Sequence, residues 1–169
     1  MEYSELLSKR RSVRSYTERG VTKDEIDSLL NAATAAPNAC NFQSWHFYVV
    51  TDSERIKGFS GICAEWATTA PVIIVIATDA DRLQKRFGSR GCDLFAIQDT
   101  ALAAENILLK AVELGLGGCI IGYFDEDKCR NHLSVPDNQR PVMIIPIGEP
   151  DEDAAVRSRK PLSEVVTYL

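Results

Sequence analysis

The basic residues near the amino terminus are the first part of the chain whose types and spacing could bind a ligand. Four cations fall within six positions, at Lys9, Arg10, Arg11 and Arg14, although the formal net charge of the chain is −5. Guanidinium groups next to a hydroxyl such as that of Ser12 can surround a compact anion, for example a phosphate. The alternative is a solvated basic turn, because short basic clusters are common on protein surfaces.

A second basic cluster, at Arg157, Arg159 and Lys160, lies near the carboxyl end. The 24 acidic and 19 basic residues give a pI near 5.1, which argues against general affinity for nucleic acid or for membrane surfaces. Any anion site must therefore be local. The first residues show no apolar signal core, and the longest apolar run, 71–77, is too short to span a bilayer. We therefore expect a cytoplasmic protein.

A loop at 36–47 is rich in side-chain amides, with Asn38, Asn41 and Gln43 preceding Trp45. Side-chain amides can cap the local backbone, or they can bind a planar polar ring through paired donors and acceptors. The pattern leaves both interpretations open. The five cysteines and two histidines share no ligand spacing, so neither a disulfide framework nor a metal site is predicted.

Hydrophobic periodicity and capping signals predict the elements that must position these segments. Thr22 and Glu25 form a capping box that opens a helix ending before Pro37. The predicted helices are 2–9, 22–36, a helix from 52 or 53 to about 69, 93–116 and 125–133; the predicted strands are 47–50, 71–78, 119–124 and 140–148, and 79–91 is predicted to be a loop. The helix 93–116 is apolar around most of its circumference, which indicates burial in the core or against a partner subunit.

The glycines at 115–118 follow a helix and precede a predicted strand. A dinucleotide-binding fingerprint has the opposite order, because it follows a strand and opens a helix. The glycines are therefore interpreted as a helix C-cap and as a place where bare backbone can approach another group closely.

Four segments in this order resemble the nitroreductase family of FMN-dependent oxidoreductases: the basic segment 10–14, the amide loop 36–47, the passage 114–124 and the basic segment 157–162. The resemblance implies an α+β fold with three α/β/α layers, in which helices flank a central mixed, mostly antiparallel sheet. It further implies one FMN-binding domain over residues 1–169 and an intertwined homodimer with the flavin at the subunit interface.

The resemblance also implies the residues that bind FMN. They are Arg10, Arg11, Ser12, Arg157 and Arg159 at the phosphate; Arg14 near the flavin N1 and O2 edge; Pro37, Asn38, Ala39 and Asn41 from the other subunit; and the backbone of Ile121 and Gly122 near N5. Two features depart from the family pattern. Ser44 stands where proline often follows Gln43, and only 79–91 stands where larger members carry additional helices.

The function implied is transfer of electrons from NADH or NADPH by a ping-pong mechanism to a small oxidised acceptor such as a nitro compound, a quinone or a flavin. No protein residue is assigned a catalytic role, because the hydride chemistry belongs to flavin N5. Alternatives are a flavin-binding or storage protein without turnover, a flavin-consuming or dehalogenating relative, and a non-flavin module that binds a phosphorylated ligand.

Overall fold

A four-stranded sheet forms the centre of the computed structural model, which describes residues 1–169. The strands are Trp45–Val50 (β1), Val72–Asp79 (β2), Gly117–Gly118 (β3) and Gln139–Gly148 (β4), in the order β1-β2-β4-β3. All three strand pairs are antiparallel, and one parallel bridge joins Ser12 to Gly118. Residues 72–78 of β2 are buried, as a β-branched run covered on both faces should be. The predicted strands at 71–78 and 140–148 are confirmed.

Helices cover both faces of the sheet. They are Tyr3–Lys9 (α1), Lys23–Thr34 (α2), Ser53–Lys57 (α3), Ala80–Phe87 (α4), Ala96–Glu113 (α5), Glu126–Leu133 (α6) and Leu162–Val165 (α7), with 3₁₀ segments at Ala39–Asn41 and Glu65–Thr69 and a π-helical turn at Gly91–Phe95. Ile74 and Ile76 of β2 pack with α2 and α5 in one apolar cluster. Ile73 and Val75 point the opposite way and pack with α3 and α6. The alternation of β2 side chains thus separates two cores, which confirms the three-layer α/β/α prediction.

The predicted capping signals are present. Thr22 Oγ1 accepts a hydrogen bond from Glu25 N–H, and the Glu25 carboxylate accepts one from Thr22 N–H, so α2 begins with a complete capping box. Asp125 accepts from Lys128 N–H at 3.0 Å and begins α6. These short-range signals fix helix starts because each satisfies an otherwise unpaired backbone donor.

Two predictions between β1 and α5 are wrong. The helix from 52 or 53 to 69 stops at Lys57, because the chain turns at Gly58 and takes a positive φ of 70° at Gly61. The predicted loop 79–91 is mostly the helix α4. Asp79 caps this helix by accepting from Arg82 N–H at 2.9 Å, and Leu83 anchors it by full burial.

The predicted strand 119–124 is also wrong. On the edge of β4 that faces away from β2, only Gly117–Gly118 (β3) pair continuously, and Ile121 forms one isolated bridge to Ile144. Ile121 and Ile144 exchange both backbone hydrogen bonds, so the backbone groups of Pro146, two residues further along β4, face the same edge. Because Pro146 has no N–H, the ladder is interrupted there.

No helix of the structure is both long enough and apolar enough to cross a membrane.

We expect Gly118→Ala to lower the free energy of unfolding by about 1–3 kcal/mol, as overpacking does. A Cβ on Gly118 would lie 2.8 Å from the backbone oxygen of Pro146 and 2.7 Å from Ile147 Cδ1. Gly20→Ala is the matched control, since a Cβ there meets no atom within 4 Å, and its effect should stay within about 0.5 kcal/mol. Urea unfolding measures both; equal stabilities for the two variants would refute the close approach at Gly118.

Candidate functional site

A seam of backbone hydrogen bonds joins residues 12–17 to residues 117–118 and 149–152. The bonds are Val13 N–H to Gly118 O at 3.1 Å, Thr17 N–H to Glu149 O at 3.0 Å and Asp151 N–H to Ser15 O at 3.0 Å. The Glu152 carboxylate adds to the seam by accepting from the backbone N–H groups of Arg14 and Ser15. The seam therefore fixes the amino-terminal basic segment beside the chain that leads to the carboxyl-terminal one.

The apolar residues that interrupt the first basic cluster anchor this seam. Val13 is 5% exposed and Tyr16 is 8% exposed, and the Tyr16 hydroxyl donates to Val13 O at 2.8 Å. Gly117 has no side chain, which allows Val13 to approach: a Cβ on Gly117 would lie 2.5 Å from Val13 Cγ2. With Val13 and Tyr16 directed into the protein, the arginine side chains stay at the surface.

The two basic clusters line one cleft of about 630 Å³, which we call the cationic cleft. Its lining includes all the residues that the family resemblance assigned to a phosphate, together with Arg14. These residues are Arg10, Arg11, Ser12, Arg14, Arg157 and Arg159. Two clusters separated by more than a hundred residues in sequence thus meet in space.

Most guanidinium groups of the cationic cleft lack an acidic partner. Only Arg10 has a carboxylate within 4.0 Å, that of Glu105 at 3.7 Å. Arg11 and Arg159 donate to backbone carbonyls instead. Glu152 also lines the cleft, but its carboxylate is engaged by the seam. A set of guanidinium donors that is largely unpaired fits a phosphate dianion.

A second cleft, of about 730 Å³, adjoins the cationic cleft and is mostly apolar; we call it the ring cleft. Arg14 lines both clefts, and its Cζ lies 5.8 Å from the centroid of the Trp66 ring. Ile121 and Gly122 line the ring cleft, as do Ile62 and other apolar residues. A cationic end joined to an apolar end suits a ligand that carries a phosphate and a planar ring.

The two predicted backbone contacts of the ring cleft differ in what they can donate. Ile121 N–H already donates to Ile144 O at 2.8 Å, so it is not free to bind a ligand. Gly122 is exposed, and its N–H has no acceptor in the protein. Of the two residues, Gly122 is therefore the available donor.

The amide-loop residues predicted to bind the flavin do not line the cationic cleft or the ring cleft. Pro37, Asn38 and Ala39 line a third cavity, of about 720 Å³, against the start of α5. This cavity shares no lining residue with the two clefts, and Asn41 lines none of the three. Within one chain, the structure does not bring the loop to the arginines.

The amide loop holds an unusual backbone. Cys40, Asn41 and Gln43 have φ values of 52°, 53° and 51°, in the left-handed region that costs energy for residues other than glycine. Asn38 Oδ1 stabilises the turn by accepting from Gln43 N–H at 2.8 Å, so Asn38 performs local backbone capping. The side-chain amide of Asn41 makes no hydrogen bond within the protein, and it is exposed.

Asp99 on α5 holds the amide loop in place, and this role was not predicted from the sequence. It is 4% exposed, its Oδ1 accepts from Ala39 N–H at 3.0 Å, and its Oδ2 has no partner. Burial raises the pKa of this carboxyl above its usual value. The sequence contains one signal for it, because Asp99 is the sole acidic residue between Ala96 and Ala104. Trp66 and Glu152 carried no comparable signal.

Two neighbouring thiols, Cys63 in the lining of the ring cleft and Cys129 in the core cluster behind it, are not poised as nucleophiles. Burial raises the pKa of Cys63 to about 11 and that of Cys129 to about 12, so both are protonated at neutral pH. Cys63 and Cys129 therefore supply no thiolate there at neutral pH. No group of three or more His, Cys, Asp or Glu side chains is arranged to hold a metal ion.

Comparison with known proteins identifies the family. The nitroreductase family model matches residues 7–68 and 58–149. The chain belongs to the nitroreductase family. A relative from Methanothermobacter thermautotrophicus, which carries the provisional name NADH dehydrogenase/NAD(P)H nitroreductase, is 35% identical over 163 residues, covering 93% of this chain and 82% of the relative.

Two solved structures of nitroreductases resemble this one closely. A nitroreductase family protein from Clostridium difficile 630 is 31% identical, with a TM-score of 0.88 over 99% of this chain and 98% of its own. An FMN-dependent nitroreductase from Clostridium difficile R20291 is 30% identical, with a TM-score of 0.82 over 96% of each chain. These comparisons confirm the family resemblance and the predicted fold class.

We expect Asp99→Asn to change how stability depends on pH. Because the pKa of Asp99 is raised on folding, the folded state favours its protonated form, and the wild type loses stability as pH rises above the unfolded value of about 3.9. The amide that replaces the carboxyl has no charge to bury and keeps an oxygen for Ala39 N–H. Raising the pH above about 4 should therefore increase the stability of the variant relative to that of the wild type.

Thermal unfolding across this pH range measures the difference. Asp99→Ala removes the acceptor as well, and it should be less stable than Asp99→Asn by about 1–3 kcal/mol because Ala39 N–H is left unpaired. Parallel pH profiles for the wild type and Asp99→Asn would show that the carboxyl is not perturbed by burial.

Proposed function

We propose that this nitroreductase binds FMN and uses it to pass electrons from NAD(P)H to a small oxidised acceptor. The names of its relatives support an NAD(P)H-dependent oxidoreductase with FMN as the cofactor. The observation that carries the proposal is the meeting of two remote arginine clusters in one cleft that joins the apolar ring cleft at Arg14.

The cationic cleft would hold the FMN phosphate. Arg10, Arg11, Arg157 and Arg159 supply guanidinium groups, which bind phosphate oxygens through paired, charge-assisted hydrogen bonds, and Ser12 adds a hydroxyl. With the phosphate fixed at this end, the ring of the ligand has to lie towards Arg14 and the ring cleft.

The ring cleft would hold the isoalloxazine. Arg14 brings a positive charge to the junction of the clefts, where it stabilises negative charge on the N1 and O2 edge, and Gly122 N–H is a free donor for N5. The chemistry that FMN supplies when bound is acceptance of a hydride from NAD(P)H and delivery of electrons to the acceptor. The protein residues would bind and orient the flavin, and solvent would supply the proton for the reduced acceptor.

A second copy of the chain would complete the site. Ile97 and Leu102 on the outer side of α5 are 41% and 45% exposed, next to the cavity that the loop Pro37–Asn38–Ala39 lines. An apolar helix face beside a strained loop is suited to a subunit interface. We propose that dimerisation covers this face and brings Pro37, Asn38, Ala39 and Asn41 to the partner's ring cleft. Each subunit would then contribute one FMN-binding domain of residues 1–169.

The donor and the acceptor would use the same pocket in turn. The chain has no strand–G-x-G-x-x-G–helix unit that would give the dinucleotide a separate site, and one apolar cleft adjoins Gly122. Acceptors of matching shape are planar nitro compounds, quinones and flavins.

Replacing Arg10 or Arg159 with alanine should weaken FMN binding by about tenfold or more, since each removes a charged hydrogen-bonding group from the phosphate. Riboflavin has no phosphate, so its affinity should barely change. Fluorescence titration of the apoprotein with each flavin makes the comparison, and Arg55→Ala, an exposed arginine outside both clefts, is the control. Equal losses for both flavins would place the phosphate elsewhere.

The colour of the purified protein separates the alternatives. Yellow protein that bleaches on addition of NAD(P)H supports the enzyme, whereas yellow protein that does not bleach indicates a flavin carrier. Colourless protein that cannot be reconstituted indicates a module for a different phosphorylated ligand.

Initial rates measured with donor and acceptor varied together should give parallel double-reciprocal lines. Alternating use of one pocket requires the oxidised donor to leave before the acceptor binds. High acceptor concentrations should inhibit by competing with the donor. Intersecting lines would instead show that donor and acceptor occupy the protein together.

A further inference from the structure

Three phenylalanine rings and four cations lie together on and beside α4, and none of them lines the cationic cleft. The rings of Phe42, Phe87 and Phe95 pack edge to face, with centroids 5.4 Å and 5.3 Å apart. Arginine side chains lie over them: Arg82 Cζ is 4.6 Å from the Phe42 centroid, Arg86 Cζ is 5.6 Å from that of Phe87, and Arg90 Cζ is 5.8 Å from that of Phe95. We call Arg82, Lys85, Arg86 and Arg90, with these rings, the arginine platform.

No cation of the arginine platform has an acidic partner. None of the ten ion pairs in the structure includes one of the four, and all four side chains are exposed. Asp79 caps α4. The two other carboxylates nearby in sequence, Asp81 in the first turn of α4 and Asp93 after Arg90, form no ion pair with any of the four cations. In a chain of net charge −5, four neighbouring unpaired cations form a local positive field.

Helix stability does not account for the arginine platform. Lys85 and Arg86 lie in the last turn of α4, where the helix dipole favours cations. Arg82 lies in the first turn, where the dipole disfavours a cation, and Arg90 lies beyond the helix. Cation–π contacts with the rings of Phe42 and Phe95 position the guanidinium groups of Arg82 and Arg90 and leave their N–H donors for a ligand.

The arginine platform borders the amide loop. Phe42 directly follows Asn41, and Phe95 is a wall of the cavity that Pro37, Asn38 and Ala39 line. On the proposed function, this loop reaches the partner's ring cleft. The arginine platform would then stand at the rim of that cleft, outside the phosphate site of FMN, since none of its residues lines the cationic cleft.

We propose that the arginine platform binds the 2′-phosphate of NADPH and makes NADPH the preferred electron donor; this inference rests on the proposed function. The ligand is a terminal phosphate monoester with three free oxygens, which several guanidinium groups can share. The 2′-phosphate lies at the adenosine end of NADPH, remote from the nicotinamide. When the nicotinamide lies over the flavin in the ring cleft, the 2′-phosphate therefore lies towards the rim, where the arginine platform stands. The adjacent adenine could stack on an arginine plane or a ring.

The test uses the FMN-loaded protein and compares Arg82→Gln/Arg86→Gln with the wild type. Anaerobic stopped-flow reduction of the flavin gives the apparent Kd for each dinucleotide and the limiting rate. The Kd for NADPH should rise about tenfold in the variant, that for NADH should change by less than about twofold, and the limiting rates should be unchanged. Arg55→Gln, a change of one exposed arginine on α3, should leave all these values as in the wild type.

A second readout does not depend on turnover. Calorimetric titration with 2′,5′-ADP and 5′-AMP isolates the 2′-phosphate, and only the binding of 2′,5′-ADP should weaken in the variant. Arg82→Lys/Arg86→Lys keeps the charges and should retain most of the preference for NADPH. This variant also serves as the test if the glutamine variant fails to retain FMN.

Equal changes for NADPH and NADH, or unchanged binding of 2′,5′-ADP, would overturn the inference. Tight binding of an acidic protein to the arginine platform, with the Kd for NADPH unaffected, would overturn it as well. If neither dinucleotide bleaches the wild type, the proposed function fails and this inference fails with it. If NADPH bleaches the flavin of the wild type and of the Arg82→Gln/Arg86→Gln variant with the same Kd, this inference alone is overturned.

Discussion

The cationic cleft depends on one contact, the seam of hydrogen bonds that joins residues 12–17 to residues 117–118 and 149–152. Gathering arginines from both ends of the chain is opposed by their mutual repulsion. Three backbone hydrogen bonds, the buried ring of Tyr16 and the carboxylate of Glu152 hold the two segments together against it. The same seam places Arg14 at the junction of the two clefts. This one contact therefore determines where the positive charge gathers and on which side of it the apolar ring cleft lies.

The amide loop and the cavity beside it share no lining residue with the two clefts. α5 connects them to the core: its buried face packs beneath the sheet, while its first turns carry Asp99, which holds the strained amide loop through Ala39. One chain thus presents a cleft at one place and a preformed loop at another. A second copy related by a two-fold axis is the simplest arrangement that uses both.

Local patterns in the sequence predicted those parts of the fold that depend on local physics. The capping box at Thr22 satisfies donors within three residues, and the β-branched run of β2 is buried whatever the topology around it. α4 was predicted as a loop because only Leu83 and Phe87 interrupt its polar sequence, and the cap at Asp79 was not recognised. The pairing of β3 with β4 ends where Pro146 lacks an N–H. Because Pro146 is remote in sequence, the residues 119–124 alone do not show that the strand ends there.

In the candidate site too, the sequence predicted some features, and others depend on contacts between residues that are remote in sequence. The arginines stood out by composition, and the family resemblance grouped them, but no local pattern shows that residues 10 and 159 share a cleft. Glu152 sits in an acidic run whose members look alike in sequence, and only the fold selects the one that meets Arg14 and Ser15. Ile121 and Gly122 were equivalent in sequence, until the hydrogen bond to Ile144 removed Ile121 as a donor.

Phosphorus-31 NMR of bound FMN measures the charge state of the phosphate in the cationic cleft most directly. A free phosphate monoester takes up its second proton near about pH 6. Surrounded by the guanidinium groups of both clusters, the bound phosphate should remain a dianion, with a constant chemical shift, from about pH 8 down to about pH 5. A bound phosphate that titrates as free FMN does would contradict the assignment of the cationic cleft to the phosphate.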